Sequence, residues 1–163
     1  MARIILQAPH KVLRAKSLPV TDFGASEIKR IIREIQAIVD ATPHAVGLAA
    51  PQIGYDTRIF EVRCESFRRI FINPVITAYS KKKSLMSEAC LSVEGWNGWT
   101  ERPTKVTIKA FDETGKKFKL TVKGLLAQII QHELDHLDGV LYIDKAKRLE
   151  RVQGEGYRVR GTG

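Results

Sequence analysis

The chain has 163 residues, 44% of them hydrophobic and 28% charged, which suits one soluble globular domain with its own core. No apolar run approaches the roughly 18 residues of a membrane helix, and the opening MARIILQAPHKVLR lacks the apolar stretch and cleavage site of a signal peptide. A cytoplasmic location is therefore expected, and an organellar one only if a transit segment precedes this sequence. The net charge of +9 permits an anionic partner such as RNA, but charge alone reads more simply as a well-solvated basic surface.

The first predicted helix covers residues 26–41. Ser26 is placed to cap it, and Ile28, Ile31, Ile32, Ile35, Ile38 and Val39 recur at helical spacing opposite Lys29, Arg30, Arg33 and Glu34. TPHAVGLAAPQIGYD follows, whose glycines, prolines and small residues predict tight loop geometry around a short buried piece. TRIFEVR and RRIFINPVI read as strands, and KKK at 81–83 as an exposed connection. In EACLSVEGWNGW, Asn97-Gly98 is a turn signal. TKVTIKAFDETGKKFKLTV alternates on both sides of DETG and predicts a β-hairpin.

GLLAQIIQHELDHLDG is the second helix. Leu126, Ile129, Ile130, Leu134 and Leu137 spread around it, so it is expected to be buried on most sides, ended by Gly139 as a left-handed cap. Residues 145–163 carry six basic side chains (Lys145, Lys147, Arg148, Arg151, Arg158, Arg160) against two acidic ones (Glu150, Glu155), with glycines that oppose a long helix beyond about Val152. The fold class is α+β, with antiparallel or mixed β-sheets packed around a central helix. A single domain over residues 1–146 and a short basic tail over 147–163 are expected.

HELDH is the segment with chemistry. On a helix His132 and His136 lie one turn apart on one face, which is bidentate metal geometry. Glu133 is rotated about 100° away and suits a general base better than a ligand. Two satisfied core histidines are the plainer alternative, but two imidazoles and a carboxylate in an apolar helix each need partners. The metzincin protease pattern HExxHxxGxxH is followed through Gly139 and then broken by Tyr142. A thermolysin-like ligand would have to be Glu150 or Glu155 in the glycine-rich tail, so a protease is disfavoured. A cysteine thiolate with two imidazoles is an accepted catalytic set. Cys64 and Cys90 form no CxxC pair. Cys64 reads as an ordinary thiol at a strand end, but residue chemistry alone leaves the choice between the two open.

GLAAPQIG, EACLS and QHELDH, in this order, resemble the three motifs of the peptide deformylase family, and the similarity runs over residues 4–144. The resemblance implies an amide hydrolase that removes the N-formyl group from the initiator formyl-methionine of newly made polypeptides. It implies Cys90, His132 and His136 as ligands of one divalent ion, commonly Fe(II), with zinc, nickel or cobalt able to replace it. Glu133 is then the general acid/base for a metal-activated water. Gln52 and the backbone N–H of Leu91 stabilise the oxyanion, and Gly47 presents backbone groups to the peptide. Val46, Met86, Leu125, Gln128 and Ile129 line the methionine pocket; for the apolar four, ordinary core is the plainer reading.

The implied partners are formyl-methionyl nascent chains and, through the basic surface or tail, the ribosome; a monomer with no membrane contact is expected. The sequence departs from the usual pattern at Ala45 and Ala89, where glycine is usual, at Glu94, where proline is frequent, and at Gln128, usually aliphatic. These departures leave the ligands, the base and Gln52 in place and bear on substrate preference. The alternative is a divergent relative with altered preference or a non-catalytic metal-binding role. An RNA-binding module with an incidental helix rests on charge alone.

Overall fold

The computed structural model describes residues 4–152. In chain order its main elements are α1 (Ser26–Ala41), β1 (Gly47–Ala49), β2 (Ile59–Cys64), β3 (Phe67–Tyr79), β4 (Lys83–Cys90), β5 (Val93–Pro103), β6 (Lys105–Phe111), β7 (Lys117–Lys123), α2 (Gly124–Leu137), α3 (Tyr142–Lys145) and β8 (Arg148–Arg151). One sheet has the order β1-β2-β3-β6-β7 and the other β4-β5-β8. Every pair of these strands is antiparallel, so the α+β class holds and the sheets are not mixed.

Strand alternation decides what each face buries. Ile59, Ile70 and Ile72 turn towards α1 and meet Ile31, Ile32, Ile35 and Val39. Phe60, Val62 and Phe71 turn the other way and meet Ala127, Ile130, Leu134 and Leu137 of α2. The opposite side of α2 faces the smaller sheet, where Gln128 donates to the Ser87 carbonyl at 2.8 Å and His132 meets Glu88. The helix is thus held between the two sheets, as its all-round apolar pattern predicts.

α2 stops where the sequence says it should. Gly139 has φ +73°, and a Cβ there would lie 2.5 Å from the Arg14 carbonyl oxygen. Only glycine meets both conditions, and the turn it permits lets Arg58 donate to the Leu137 carbonyl and pair with Asp138.

Three local expectations are corrected. α1 begins at Ser26 itself, with Ala25 as the N-cap residue and no side-chain cap. Asn97-Gly98 is not a turn but lies inside β5, with Gly98 opposite Glu88 of β4. Gly98 is there for closeness, since a Cβ would stand 2.9 Å from the Tyr142 ring. The real connection is Leu91-Ser92, between paired Cys90 and Val93. Within the segment read as a tail, Arg148–Arg151 forms β8 against Trp96–Trp99, with the Arg148 guanidinium 4.0 Å from the centre of the Trp99 ring. Residues 153–163, with Glu155, Arg158 and Arg160, lie outside the described residues.

Replacing Gly139 by alanine is expected to destabilise the fold by about 2 kcal/mol, from αL strain plus the clash with Arg14. A drop in the urea midpoint at unchanged slope checks it; an unchanged midpoint refutes it.

Candidate active site and metal centre

Two elements of unrelated local structure meet here. α2 presents His132 and His136 from successive turns, and β4 delivers Cys90 at its last position, before the tight connection to β5. All three are buried, and their ligating atoms lie within 4.8 Å of one another, with Cys90 Sγ 3.3 Å from His136 Nε2. A tetrahedral ion with metal–nitrogen bonds near 2.0–2.1 Å and a metal–sulfur bond near 2.3 Å needs donors roughly 3.3–3.8 Å apart. Small side-chain movements reach that spacing.

The polar atoms around the set also fit a cation. His132 Nδ1 lies 2.8 Å from Glu88 Oε1. That contact places the imidazole proton on Nδ1 and leaves Nε2 as a lone-pair donor. Among the described residues His132 Nε2 and both carboxylate oxygens of Glu133 are buried without a partner. Orphaned atoms of this kind cost free energy in an apolar interior, and a divalent ion with its water answers them together.

Burial holds the Cys90 thiol well above its ordinary range; the Ser92 N–H, 3.4 Å from Sγ, opposes this, and the charges of Glu133 and Glu88 add to it. Burial, with the nearby positive charge of Arg102, keeps His136 neutral, the form that ligates. Burial and then the Glu88 charge raise Glu133 well above the usual carboxylate range. Glu88 runs the opposite way. Burial pushes it up, but hydrogen bonds from Arg102 and His132 outweigh this and hold it far below that range.

Glu88 is the principal residue the sequence reading missed. It accepts from Arg102 through Nε at 2.6 Å and Nη2 at 2.8 Å, and from the Thr100 hydroxyl. Arg102 continues to Asp135 at 3.0 Å, on the same helix as the histidines. The available signal was strand period, which puts Glu88 on the side of Cys90.

The first motif packs against this centre. Gly47 is set against Glu133: a Cβ on it would lie 2.5 Å from Oε1 and 2.9 Å from Cδ. Gln52 is fully buried; its Oε1 accepts from the Ala49 N–H at 2.9 Å, which turns Nε2 towards Cys90 Sγ at 3.6 Å and Ser92 Oγ at 3.1 Å. The Leu91 carbonyl accepts from Gln7 Nε2 at 2.8 Å, and Gln7 Oε1 accepts from the Glu94 N–H at 3.3 Å, so the N-terminal segment braces the connection after Cys90. Ser92 and Gln7 were also missed.

Of the expected pocket residues, Val46 and Met86 are half-buried, Leu125 is exposed at the start of α2, and Gln128 and Ile129 are buried. Ala45 and Ala89 are buried and neither has positive φ, so a methyl replaces the usual glycine without strain. Cys64 is a half-buried thiol ending β2, away from the cluster. Tyr142, in the protease pattern's histidine position, stacks on His132 with ring centres 6.0 Å apart and donates to the Trp96 carbonyl.

Fold and site together define a class: α+β proteins in which an HExxH helix and a strand cysteine bring together three groups that could hold a metal ion. The sequence pattern of the polypeptide deformylase family matches residues 2–152. A peptide deformylase of Treponema pallidum is 45% identical over 119 residues, 72% of this chain and 74% of that protein. One from Psychrobacter cryohalolentis is 39% identical over 153 residues, covering 91% and 82%. The solved peptide deformylase of Thermotoga maritima superposes with a TM-score of 0.86 at 30% identity, over 91% of this chain and 99% of that one. That of Plasmodium falciparum, in complex with an inhibitor, gives 0.82 at 39%, over 89% and 90%. The chain belongs to the polypeptide deformylase family.

Metal affinity is expected to rise about tenfold per pH unit below the thiol's range, because binding expels the Cys90 proton while His136 is already neutral. Glu88→Gln is expected to weaken it about 10–100-fold by releasing His132. Chelator competition across pH measures both. A pH-independent affinity, or full affinity in Glu88→Gln, contradicts the assignment.

Proposed function

We infer that this chain hydrolyses the formamide bond of N-formyl-methionine at the start of newly made polypeptides, releasing formate. The observation that carries this reading is the approach of Gly47 to Glu133 beside the Cys90, His132 and His136 donor set. It leaves a buried carboxylate unpaired where a proton must be moved. A peptide deformylase of Acinetobacter baumannii has been solved with Met-Ala-Ser bound.

We assign Cys90, His132 and His136 as ligands, with Fe(II) as the native ion; zinc, nickel and cobalt suit the same donors. When bound, the ion supplies Lewis acidity and lowers the pKa of a coordinated water from 15.7 towards about 7. Glu133, whose affinity for a proton is raised by burial, takes the proton from the attacking water and passes it to the departing amine. Gln52 Nε2 and the Leu91 N–H donate to the oxygen on which charge develops. Gln52 needs no reorientation, because Ala49 already fixes the other end of its amide; losing one such donor typically costs about 3–4 kcal/mol of transition-state stabilisation.

β1 is the edge strand of its sheet, so Val46 and Gly47 can take the peptide as an added strand. Met86, Leu125, Gln128 and Ile129 form the side-chain pocket. A second reading, altered side-chain preference, is favoured by Gln128, whose buried amide is anchored to the Ser87 carbonyl and adds polarity to the wall. The chain acts as a cytoplasmic monomer and meets the ribosome through the basic segment 147–163. Binding that falls with salt and weakens on removing that segment, read by cosedimentation, checks this; binding insensitive to salt, or unchanged by the removal, refutes it.

In an anaerobic formate-release assay on formyl-Met-Ala-Ser, Glu133→Ala should lose about 10²–10⁴ in rate with metal content unchanged. Gly47→Ala should reduce kcat by displacing the same carboxylate. Full activity in Glu133→Ala would overturn its role, and equal rates on formyl-Met and formyl-Gln peptides would favour the second reading.

A further inference from the structure

The β6–β7 hairpin carries a charge pattern that the hydrolase does not use. Its inward residues, Val106, Ile108, Ala110, Phe118, Leu120 and Val122, pack towards α2. The alternate residues face away from α2 and the metal centre. They pair across the strands as Lys105 with Lys123, Thr107 with Thr121, Lys109 with Lys119, and Phe111 with Lys117.

Two of these rungs set lysine directly against lysine, with Cβ atoms roughly 5 Å apart, an arrangement that disfavours the sheet. All five lysines are exposed. Among the described residues none of the five ammonium groups forms an ion pair. The strands hold no carboxylate; Asp112 and Glu113 sit in the turn, where Asp112 accepts from the backbone of Thr114 and Lys116.

α1 covers the same face of the sheet over β2 and β3, with Phe111 at its margin, and leaves β6 and β7 open. The ends of the stripe open onto concavities of about 650 Å³ beside Val75, Lys109 and Lys117, and about 680 Å³ beside Lys82, Lys105 and Lys123.

We propose that this lysine face is a docking surface for the phosphate backbone of folded RNA. The stripe runs roughly 20 Å at about 3.4 Å per residue. A polyanion supplies the counter-charge that the fold withholds, and the Thr107–Thr121 hydroxyl pair, bonded to one another at 2.8 Å, leaves one proton to donate between the lysines. Among the described residues on this face of β6 and β7 no ring is exposed for base stacking, since Phe111 lies against Phe23 and beneath Lys117. Binding is therefore through phosphate alone and indifferent to sequence. The surface is separate from the hydrolytic centre, so this inference stands or falls independently of the proposed activity.

The test is fluorescence anisotropy of the full-length, metal-loaded protein with a labelled 20-base-pair RNA hairpin between 50 and 200 mM KCl. Four released counterions (at Lys105, Lys109, Lys119 and Lys123) correspond to a roughly 100-fold loss of affinity over that range. K105E/K109E should weaken binding at least tenfold and reduce the slope of log affinity against log salt by about 2. It should also raise the melting temperature, because each glutamate then faces a lysine, and leave formate release unchanged. K105Q/K109Q, which cannot form a new pair, should show the same binding loss.

A protein truncated after Val152 should keep most of its affinity. The proposal is overturned by absence of binding at 50 mM KCl or by unchanged affinity in both lysine variants. It is equally overturned by loss of binding only on truncation, or by poly-glutamate or anionic vesicles binding this face as tightly as RNA does.

Discussion

The site depends on one buried carboxylate. Glu88 lies in the smaller sheet, accepts from Arg102 and Thr100 of the neighbouring strand, and reaches His132 of the helix between the sheets. It is the point where the two sheets' contributions are put into register. Without it, the buried Arg102 guanidinium would keep only its contact with Asp135, and the imidazole would lose the partner that selects its tautomer. Arg102 adds a second tie to α2 through Asp135, which Lys145 also holds at 3.0 Å. Buried charge is therefore spent on orientation, and the apolar packing of α2 on the larger sheet supplies the cohesion.

Around that tie the motifs take up complementary tasks. The first provides closeness: Gly47 yields its side-chain volume to Glu133, and Gln52 is held at one end so that the other points inward. The second provides a thiol at the end of a strand, with backbone donors close behind it. The third provides the helix. None works alone, because each leaves polar atoms in the interior that the other two are needed to answer.

Much of this was legible in the sequence because it rests on local rules. The helical period of residues 26–41, the alternation around DETG, the glycine stop after HELDHLD and the one-turn spacing of the histidines all survive in the structure. What was not legible depends on partners distant in sequence. Glu88 looks like any strand glutamate until Arg102 and His132 are brought to it. Asn97-Gly98 carries the composition of a turn, yet Gly98 answers to Tyr142, many residues later. β8 has no apolar alternation to announce it, and it forms because Trp96 and Trp99 offer rings on which Arg151 and Arg148 rest. The choice between Cys64 and Cys90 was likewise undecided by residue chemistry, and came from resemblance.

Tyr142 bears on how such sites diverge. The segment HELDHLDGVLY shares its first eight positions with a three-histidine metal pattern, and a single residue separates it from completing that pattern. The structure makes that nearness deceptive. After the left-handed turn at Gly139, position 142 meets the flat face of the His132 ring and anchors its hydroxyl to β5. A histidine there would inherit that stacking position against the face of the His132 ring. Two scaffolds one letter apart are thus separated by the path of a loop, and point mutation alone does not carry one into the other.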